Sequence, residues 1–573
     1  MADERRLAIC IKGGVSLGAY EAGTLSKTLD LIANNNARGT TPWYVDVLAG
    51  ASAGSMTSVA TACTLLNPGT EQFPSNYLRK MWVAGAQLSA LAPDEGPNLD
   101  FGYRVGHNLL AASSLDDLAK DFYNPPTITP RRHPALRPVP ALIRLIFTLS
   151  NLDGDVVRLV ALNGESFGFR KHADSSKCDI RLNSAGVLTV DAPDTLGVET
   201  GPPISDSVKS WHAMVQAAIA SGSFPLAFAQ RGLWRLAPDR SNPDRNVYVG
   251  KLYSDGGLFD NDPLGKAIAL AHEVDWSNEN PGYQDNQRKF LVVHTEAADL
   301  SEASDRVNQI GDLSPLALAG KLVPAFTLES MQSGLRGLVE VNQQFDQRIA
   351  VLNRLARVAS ANPSAGSPAL SPAIQALAEM RKFSLEYVER LKGFLIPDIE
   401  DADRVLHDYV TKLPPPAQAA FINLAIFFDL SFNLADKVPI RPILIAPQPD
   451  EVLSGNPLFG FAGFFSKTLR EFDFARGQYD AFRAWQAVAQ NPHNEFTIDG
   501  AVAPDPVGTR QPDTGALTSS NEYSNGLDTF KNRLKAVIAS AIDELKDEAG
   551  PLARMGLDAL KTLANLGVGI IDG

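Results

Sequence analysis

The stretch YVDVLAGASAGS, residues 44–55, joins an apolar run to a turn built of Gly, Ala and Ser. The apolar run predicts a buried strand, and apolar residues at helical spacing continue from the turn to Leu66. A similar unit precedes it, because LAICIK, residues 7–12, predicts a short strand that Gly13 and Gly14 end before another helical pattern. Two strand-glycine-helix units in succession predict a parallel α/β sheet with right-handed crossovers.

The rest of the chain divides into two regions with different patterns of apolar residues. Three more strands are predicted at 156–162, 247–253 and 289–295, so an α/β domain with a mainly parallel sheet flanked by helices is expected over residues 1–300. Residues 301–573 carry long helical patterns and are expected to form a mostly helical region, a candidate cover for a site on the sheet. Both glycine turns lie at the carboxyl edge of the predicted sheet, where α/β folds place their sites.

Composition and charge limit the kinds of partner. The chain has 573 residues, with 52 Lys and Arg against 65 Asp and Glu, which gives a formal net charge of −13. This charge argues against nucleic acid as a main partner and against simple electrostatic docking on anionic lipid. The cysteines Cys10, Cys63 and Cys178 are too few and too scattered for a disulfide framework or a Cys-based metal site, and no cofactor or metal is expected.

The sequence predicts neither a signal peptide nor a membrane span. The N-terminal apolar run is too short for a signal peptide, and no later window offers about 18 uninterrupted apolar residues. We therefore expect no membrane-spanning helix and a cytoplasmic location, with peripheral membrane attachment and leaderless secretion both left open. The oligomeric state is not predicted.

Three G-x-S-x-G pentapeptides, centred on Ser16, Ser52 and Ser166, are candidates for a strand-to-helix turn that presents a serine nucleophile. A chance match is expected on the order of 0.2 times in a chain of this length, so the surroundings must decide between them. The residues after Ser166 lack helical apolar spacing, which places that serine in a loop or strand. The turn around Ser52 contains only Gly, Ala and Ser, as a strained turn with close helix packing requires, so Ser52 is the preferred nucleophile.

The turn at Gly13 and Gly14 suits a different use. Two glycines after a strand direct backbone N–H groups outward at a helix N-terminus, an arrangement that holds an oxyanion. No Lys follows Gly18, so this is not a P-loop, and the glycine spacing is not that of a dinucleotide-binding turn. A tight turn without chemistry is the alternative.

The base that would activate Ser52 has two kinds of candidate. Asp255 lies just after the strand predicted at 247–253 and directly before two glycines. Asp-Gly is also a common turn signal, so a turn without chemistry and a catalytic carboxylate are both open on these residues alone. None of the histidines lies in a motif, so each is interpreted as a surface or core residue. They are His107, His133, His172, His212, His272, His294, His407 and His493.

Four motifs in order resemble those of the patatin-like phospholipase family. They are KGGVSLGAYEAG (12–23), GASAGS (50–55), ASGSFPLAF (220–228) and DGGLFDNDP (255–263). The resemblance covers slightly less than half of the chain. It implies a three-layer α/β fold and a Ser-Asp dyad without histidine, with Ser52 as nucleophile and Asp255 as base.

The resemblance also implies an oxyanion hole made by the backbone N–H groups of Gly13, Gly14 and Val15. The sequence departs from the family at two positions, with Val15 where a third glycine is usual and Leu17 where a basic residue is usual. A side chain at residue 15 is compatible with backbone donation if φ is negative. The missing cation is expected to alter contacts with a substrate head group.

The activity implied is hydrolysis of lipid carboxylic esters through an acyl-enzyme, of the phospholipase A, lysophospholipase or lipase type. The partner is then a lipid ester at a membrane or micelle surface. A transacylase with the same dyad and a catalytically weak lipid-binding or effector-type interaction protein are the alternatives. On this interpretation Ser16→Ala, Ser166→Ala and each single His→Ala change are expected to leave most of the activity.

Two C-terminal stretches have no assigned chemistry. REFDFARGQYDAF, residues 470–482, is similar to C-terminal segments of long bacterial members of the family. Phe459, Phe461, Phe464 and Phe465 form the densest aromatic cluster of the chain. These rings are either core residues between helices or an exposed patch that binds lipid, and the sequence leaves both alternatives open.

Overall fold

In a computed structural model, the strands among the described residues form one ten-stranded sheet. They are β1 (Arg5–Ile11), β2 (Trp43–Gly50), β3 (Ala141–Val160), β4 (Ser166–Leu182), β5 (Leu188–Asp191), β6 (Thr195–Leu196), β7 (Arg231–Pro238), β8 (Asn246–Ser254), β9 (Arg288–Val293) and β10 (Ile443–Ile445). The α-helices are α1 (Gly18–Arg38), α2 (Ala53–Leu66), α3 (Ser75–Arg79), α4 (Ser114–Ala119), α5 (Asp206–Ser221), α6 (Leu264–Asp275), α7 (Ser371–Met380), α8 (Leu385–Ala402), α9 (Arg404–Thr411), α10 (Pro415–Ser431) and α11 (Lys467–Gln490). The structure describes residues 4–67, 75–87, 114–122, 125–126, 132–160, 166–196, 206–225, 227–238, 246–275, 288–296, 339, 342–344, 347–363, 371–381, 383–432, 434, 440–448, 451, 453–455, 460–505 and 524–525.

One half of the sheet is parallel and contains both predicted strand-glycine-helix units. In the order β10-β9-β1-β2-β3, each strand is parallel to its neighbour. Ile11 at the end of β1 lies opposite Gly50 at the end of β2, so the turns that follow these two strands emerge side by side. The predicted α/β arrangement is confirmed, with α1 and α2 as the helices that follow the two turns.

The strands β1 and β2 are buried on both faces, as is usual for parallel strands covered by helices. Leu7, Ile9 and Ile11 have no exposed surface, and the intervening Ala8 and Cys10 are equally buried. The absence of a polar face explains why these strands appear in the sequence as continuous apolar runs.

The other half of the sheet is antiparallel and is only partly predicted by the sequence. β3 pairs antiparallel with β4 and β8, and β7 pairs antiparallel with β8 and β6. The strand predicted at 156–162 is the end of the longer strand β3, and residues 161–162 lie outside the described residues. Ser166 begins β4, whose many polar residues give no apolar run for a sequence pattern to detect.

The chain forms two compact units, Met1–Gly334 with Pro442–Gly573 and Leu335–Arg441. The second unit is helical in its described residues. It contains a helix over residues 347–361 in addition to α7, α8, α9 and α10. The domain boundary expected at residue 300 lies outside the described residues, as do residues 301–338 and 526–573 of the region expected to be mostly helical.

The segment from Pro442 onward belongs to the same unit as the sheet, a placement that the sequence does not predict. β10 extends the parallel sheet beside β9, and α11 packs along α1. Among the helices that the structure describes, none is both long enough and apolar enough to cross a membrane.

Candidate active site

Ser52 lies in the turn between β2 and α2, residues 50–54, here called the nucleophile turn. Its backbone has φ 52° and ψ −125°, a conformation that L-residues rarely adopt and that costs on the order of 1–3 kcal/mol. Hydrogen bonds hold this turn on both sides of the serine. Ala51 N donates to Ile11 O (3.1 Å), Gly54 N donates to Ala51 O (2.8 Å), and Ser52 N donates to Ser221 Oγ (3.0 Å).

The Ser52 hydroxyl donates a hydrogen bond to the Asp255 carboxylate, with 2.5 Å between Oγ and Oδ2. Asp255 follows β8 directly, and its other oxygen accepts the Gly257 N–H at 2.7 Å. The backbone of Asp255 is fixed by Ser223 O, which accepts its N–H at 2.9 Å, and by the Ser150 hydroxyl, which donates to its carbonyl at 2.6 Å. The structure therefore brings together the two side chains that the sequence singled out for a dyad.

Burial changes the acidity of this carboxylate. It raises the pKa of Asp255 to about 7, against the opposing effect of the hydrogen bonds from Ser52 and Gly257. A carboxylate whose pKa lies near neutrality is a stronger base than an ordinary aspartate and still carries its charge in a large fraction of molecules at neutral pH.

The turn after β1, residues 13–15 and here called the glycine turn, packs directly against Ser52. A Cβ atom at position 13 would lie 2.6 Å from Ser52 Cβ, so only glycine fits there. Gly13 N donates to Asn261 Oδ1 at 3.2 Å. The N–H groups of Gly14 and Val15 have no acceptor within the part of the chain that the structure describes, so these two are the ones open to a ligand.

The backbone conformation of Val15 differs from the negative φ expected for a residue with a side chain at this position. Its φ is 54°, in the region that a β-branched residue avoids, whereas a negative φ was the condition for a tolerated side chain. The family's usual glycine would adopt this φ without strain. The substitution therefore stores backbone strain in the glycine turn.

Two consecutive residues of the loop after β8 bind two consecutive residues at the glycine turn. Asn261 accepts the Gly13 N–H, and the buried Asp262 carboxylate lies 3.3 Å from the buried Lys12 ammonium. These contacts tie the glycine turn to the loop that carries Asp255. Both residues belong to the motif DGGLFDNDP, but the motif alone does not indicate which groups lie opposite them.

The other two candidate serines are in different surroundings. Ser16 is fully buried, and its hydroxyl is hydrogen-bonded to Gly460 O and to Gly463 N. Ser166 begins an antiparallel strand, in agreement with its predicted place in a loop or strand. The hydroxyl of Ser52, unlike that of Ser16, bonds a carboxylate.

The described histidines occupy structural positions of several kinds. His133 and His294 each have a ring Nδ1 that accepts a nearby backbone N–H, and burial lowers the pKa of each to about 3. His172 in β4 stacks near Phe259, with ring centroids 5.6 Å apart, and its Nδ1 lies 2.8 Å from Asn151 O. His107 lies outside the described residues.

The C-terminal aromatic cluster is part of the core. Phe461, Phe464 and Phe465 are 5%, 4% and 3% exposed, so the alternative of an exposed lipid-binding patch is wrong for these three rings. Phe461 packs on Phe224 with ring centroids 5.9 Å apart. Phe459 lies outside the described residues.

The described residues also limit metal binding. Across them, no group of three or more His, Cys, Asp or Glu side chains is arranged to hold a metal ion.

Comparison with known proteins agrees with the fold. The family model for patatin-like phospholipase matches residues 9–268, a range that contains both turns and Asp255. An uncharacterized protein of Sinorhizobium fredii, y4iI, is 26% identical over 45% of this chain and 44% of its own length. The chain thus covers less than half of that relative. Residues 9–268, slightly less than half of the chain, thus match the patatin-like phospholipase family.

Proposed function

We propose that the protein is a serine acyl hydrolase that cleaves carboxylic esters of lipids, of the phospholipase A, lysophospholipase or lipase type. The observation that carries the proposal is the 2.5 Å hydrogen bond between Ser52 Oγ and Asp255 Oδ2, formed by a serine at φ 52° between a parallel strand and a helix. A strained strand-to-helix turn of this kind exposes a nucleophile at the edge of an α/β sheet. The family match supports lipid acyl hydrolysis as the class of reaction.

The proposed reaction has two halves. Asp255 takes the Ser52 proton while Oγ attacks the ester carbonyl, and the resulting tetrahedral oxyanion collapses to an acyl-serine as the alcohol or lysolipid leaves with that proton. In the second half Asp255 takes a proton from water, the water oxygen attacks the acyl carbon, and the proton returns to Ser52 as the carboxylic acid leaves. The raised pKa of Asp255 suits both directions of proton transfer.

The oxyanion is proposed to bind the N–H groups of Gly14 and Val15. Both belong to the glycine turn, which packs against the nucleophile at Gly13. Gly13 N–H is already donated to Asn261, so its use as a third donor, expected from the sequence, would first require that hydrogen bond to break. Two aligned donors in a buried site stabilise a developing oxyanion far more than water does.

A lipid surface is the proposed place of reaction, because apolar side chains lie exposed on the strands that lead to Asp255. They are Trp234 and Leu236 on β7, Tyr248 and Leu252 on β8, and Leu258 and Phe259 after Asp255, each at least 39% exposed. Contiguous exposed apolar residues commonly mark a membrane or protein contact, and Trp and Tyr are favoured at membrane interfaces. With a net charge of −13, attraction to lipid is expected from this apolar surface rather than from charge.

The catalytic proposal is tested with a fluorophosphonate probe and a panel of phospholipid, lysolipid, triacylglycerol and short p-nitrophenyl esters. We expect hydrolysis of at least one ester class, a covalent adduct on Ser52 by mass spectrometry, and loss of both in Ser52→Ala. An adduct on Ser16, or hydrolysis that survives Ser52→Ala, would overturn the assignment.

The surface proposal is tested with the double variant Trp234→Ser with Tyr248→Ser. We expect weaker binding to phospholipid vesicles with unchanged hydrolysis of a soluble ester, because neither side chain lies in the dyad or the glycine turn. Val502→Ser is the matched control, since Val502 is 80% exposed and lies elsewhere in the chain. Equal vesicle binding by the double variant and the control would remove this face from the proposal.

A further inference from the structure

The motif REFDFARGQYDAF lies on α11, which packs unusually closely on α1, the helix that begins just after the glycine turn. A Cβ atom on Gly23 of α1 would lie 1.9 Å from Phe474 O, and one on Gly477 of α11 would lie 2.1 Å from Tyr20 O. The Tyr20 hydroxyl also donates to Asp480 Oδ2 at 3.1 Å. The motif therefore fixes α11 against the helix that leads away from the glycine turn.

The segment before α11 binds the residue that follows the glycine turn. Ser16 N donates to Gly460 O at 3.0 Å, and the Ser16 hydroxyl donates to the same carbonyl. Gly463 N in turn donates to Ser16 Oγ at 3.1 Å. Gly460 also packs on the turn itself, since a Cβ atom there would lie 3.4 Å from Val15 Cβ. We call the described residues 453–455 and 460–463 the C-terminal brace.

Buried charged side chains of α11 hold the brace in place. Arg470 Nη1 donates to Gly463 O at 2.8 Å, and the Arg470 side chain also binds Val83 O. The Asp473 carboxylate accepts the N–H groups of Ser454 and Gly455 at 2.7 and 2.8 Å. Both side chains are fully buried, and burial of a charge is costly unless it is bonded in this way. Both described parts of the brace are therefore held to α11 by buried hydrogen bonds.

We infer that the C-terminal brace holds the glycine turn in the conformation that binds the oxyanion, with Ser16 as the positioning residue through which it acts. This inference rests on the proposed function. Val15 at φ 54° is strained, so the turn would relax towards negative φ if its neighbours released it. The hydrogen bonds at Ser16 fix the peptide next to Val15, and with it the direction of the preceding N–H groups. The expectation that Ser16→Ala leaves most of the activity is replaced by this inference.

The brace lies outside the family-matched residues 9–268, although it touches the centre of the site. The residues that it joins are 444 and 447 positions apart in the sequence. A truncated chain that ends with the matched domain would keep Ser52 and Asp255 but lose the hydrogen-bond partners of Ser16. The glycine turn therefore depends on residues outside the matched range, whereas the nucleophile turn does not.

The test compares Ser16→Ala with Ser26→Ala in the full chain. Ser26 is equally buried in the same region, and its hydroxyl has no hydrogen-bond partner among the described residues. For Ser16→Ala we expect kcat on a soluble p-nitrophenyl ester to fall about 10- to 100-fold with KM within about twofold, because misplaced donors weaken the transition state more than substrate binding. Ser26→Ala is expected to keep kcat within about twofold.

Rescue separates positioning from a general structural effect. The double variant Ser16→Ala with Val15→Gly is expected to have a kcat at least about tenfold above that of Ser16→Ala, since glycine adopts the positive φ without a brace. Gly463→Ala, whose Cβ would lie 2.6 Å from Ser16 Oγ, perturbs the same contact from the other side and is expected to lower kcat in the same way. It replaces Ser16→Ala if that variant does not fold.

The outcomes distinguish this inference from the proposed function. Unchanged kcat in a folded Ser16→Ala or Gly463→Ala variant overturns the brace, and so does a loss of kcat that Val15→Gly does not relieve. A wild-type protein that hydrolyses no ester and forms no adduct on Ser52 overturns the proposed function instead.

Discussion

The nucleophile turn and the glycine turn share one architecture but differ in what supports them. Each joins a buried parallel strand to a helix, and each holds a residue other than glycine at positive φ, Ser52 at 52° and Val15 at 54°. The nucleophile turn is held by hydrogen bonds to Ile11 and Ser221 inside the family-matched domain. The glycine turn is held by Asn261 and, from far along the chain, by Gly460.

This difference teaches that the proposed nucleophile and the proposed oxyanion donors of one site can depend on different parts of the chain. The sequence around Ser52 is sufficient to specify a strained turn, since every residue from Ala49 to Gly54 is small. The glycine turn contains a valine that its own neighbours do not stabilise at positive φ. Its conformation is therefore a property of the tertiary structure.

The largest effect is expected from changing Asp255, the base proposed for Ser52. Asp255→Asn should lower kcat on a soluble ester by about a thousandfold or more, because an amide cannot accept the Ser52 proton. Steady-state kinetics on the folded variant measure this, with the exposed Asp499→Asn as control. A loss below about tenfold would mean that another group serves as the base.

A smaller effect is expected from the link between the two turns. Asn261→Ala leaves the Gly13 N–H without its acceptor and removes one of the two contacts between the glycine turn and the Asp255 loop, so kcat should fall about 10- to 100-fold with a smaller change in KM. Kinetics together with thermal unfolding measure it. If the variant is folded and fully active, the glycine turn does not need this link, and the contrast with the nucleophile turn weakens.

With rising pH, the activity should increase and the part of the stability that is due to Asp255 should decrease. The pKa of Asp255 is raised from 3.8 to about 7, so kcat/KM on a soluble ester should rise about tenfold per pH unit below about 7 and level off above it. The folded protein holds this proton more tightly than the unfolded chain does. The stability due to Asp255 is therefore complete below about pH 4 and is lost as pH rises through 7.

Urea unfolding of the wild type and of Asp255→Asn across this pH range checks the sign. The free energy of unfolding of the wild type, relative to that of Asp255→Asn, should fall from pH 4 to 8. The difference isolates Asp255, because the other buried groups titrate in both proteins: the raised pKa values of Asp473 and Glu21 lower stability as pH rises, and the lowered pKa values of His133 and His294 increase it. A difference that stays constant or grows over this range would show that the pKa of Asp255 is not raised by burial.

The smallest effect concerns backbone strain in both turns. Glycine normally destabilises a protein relative to alanine, but at positive φ it removes strain. Val15→Gly should therefore have a higher free energy of unfolding than Val15→Ala by about 1 kcal/mol, and Ser52→Gly should exceed Ser52→Ala by a similar amount. Urea unfolding of the four variants measures both differences. The usual order, with alanine more stable, would rule out positive φ at that position.

The sequence determined the parts of this protein that have local signatures. Apolar runs ended by glycines identified β1 and β2, and the small residues around Ser52 identified the nucleophile turn. Asp255 was found because its motif directly follows a strand. Ser52 and Asp255 are 203 positions apart, and the ordered family motifs, rather than any periodicity, predicted that they form a pair.

The tertiary structure alone decided the sign of φ at Val15, the partner of Gly13, and the burial that raises the pKa of Asp255. It also placed the segment from Pro442 with the sheet and gave the motif at 470–482 a part in holding the brace. These features depend on contacts between residues hundreds of positions apart, and such contacts leave no periodic or compositional trace in either segment. Local patterns report the conformation that a stretch prefers by itself, whereas strain, desolvation and hydrogen-bond partners are set by what packs against it.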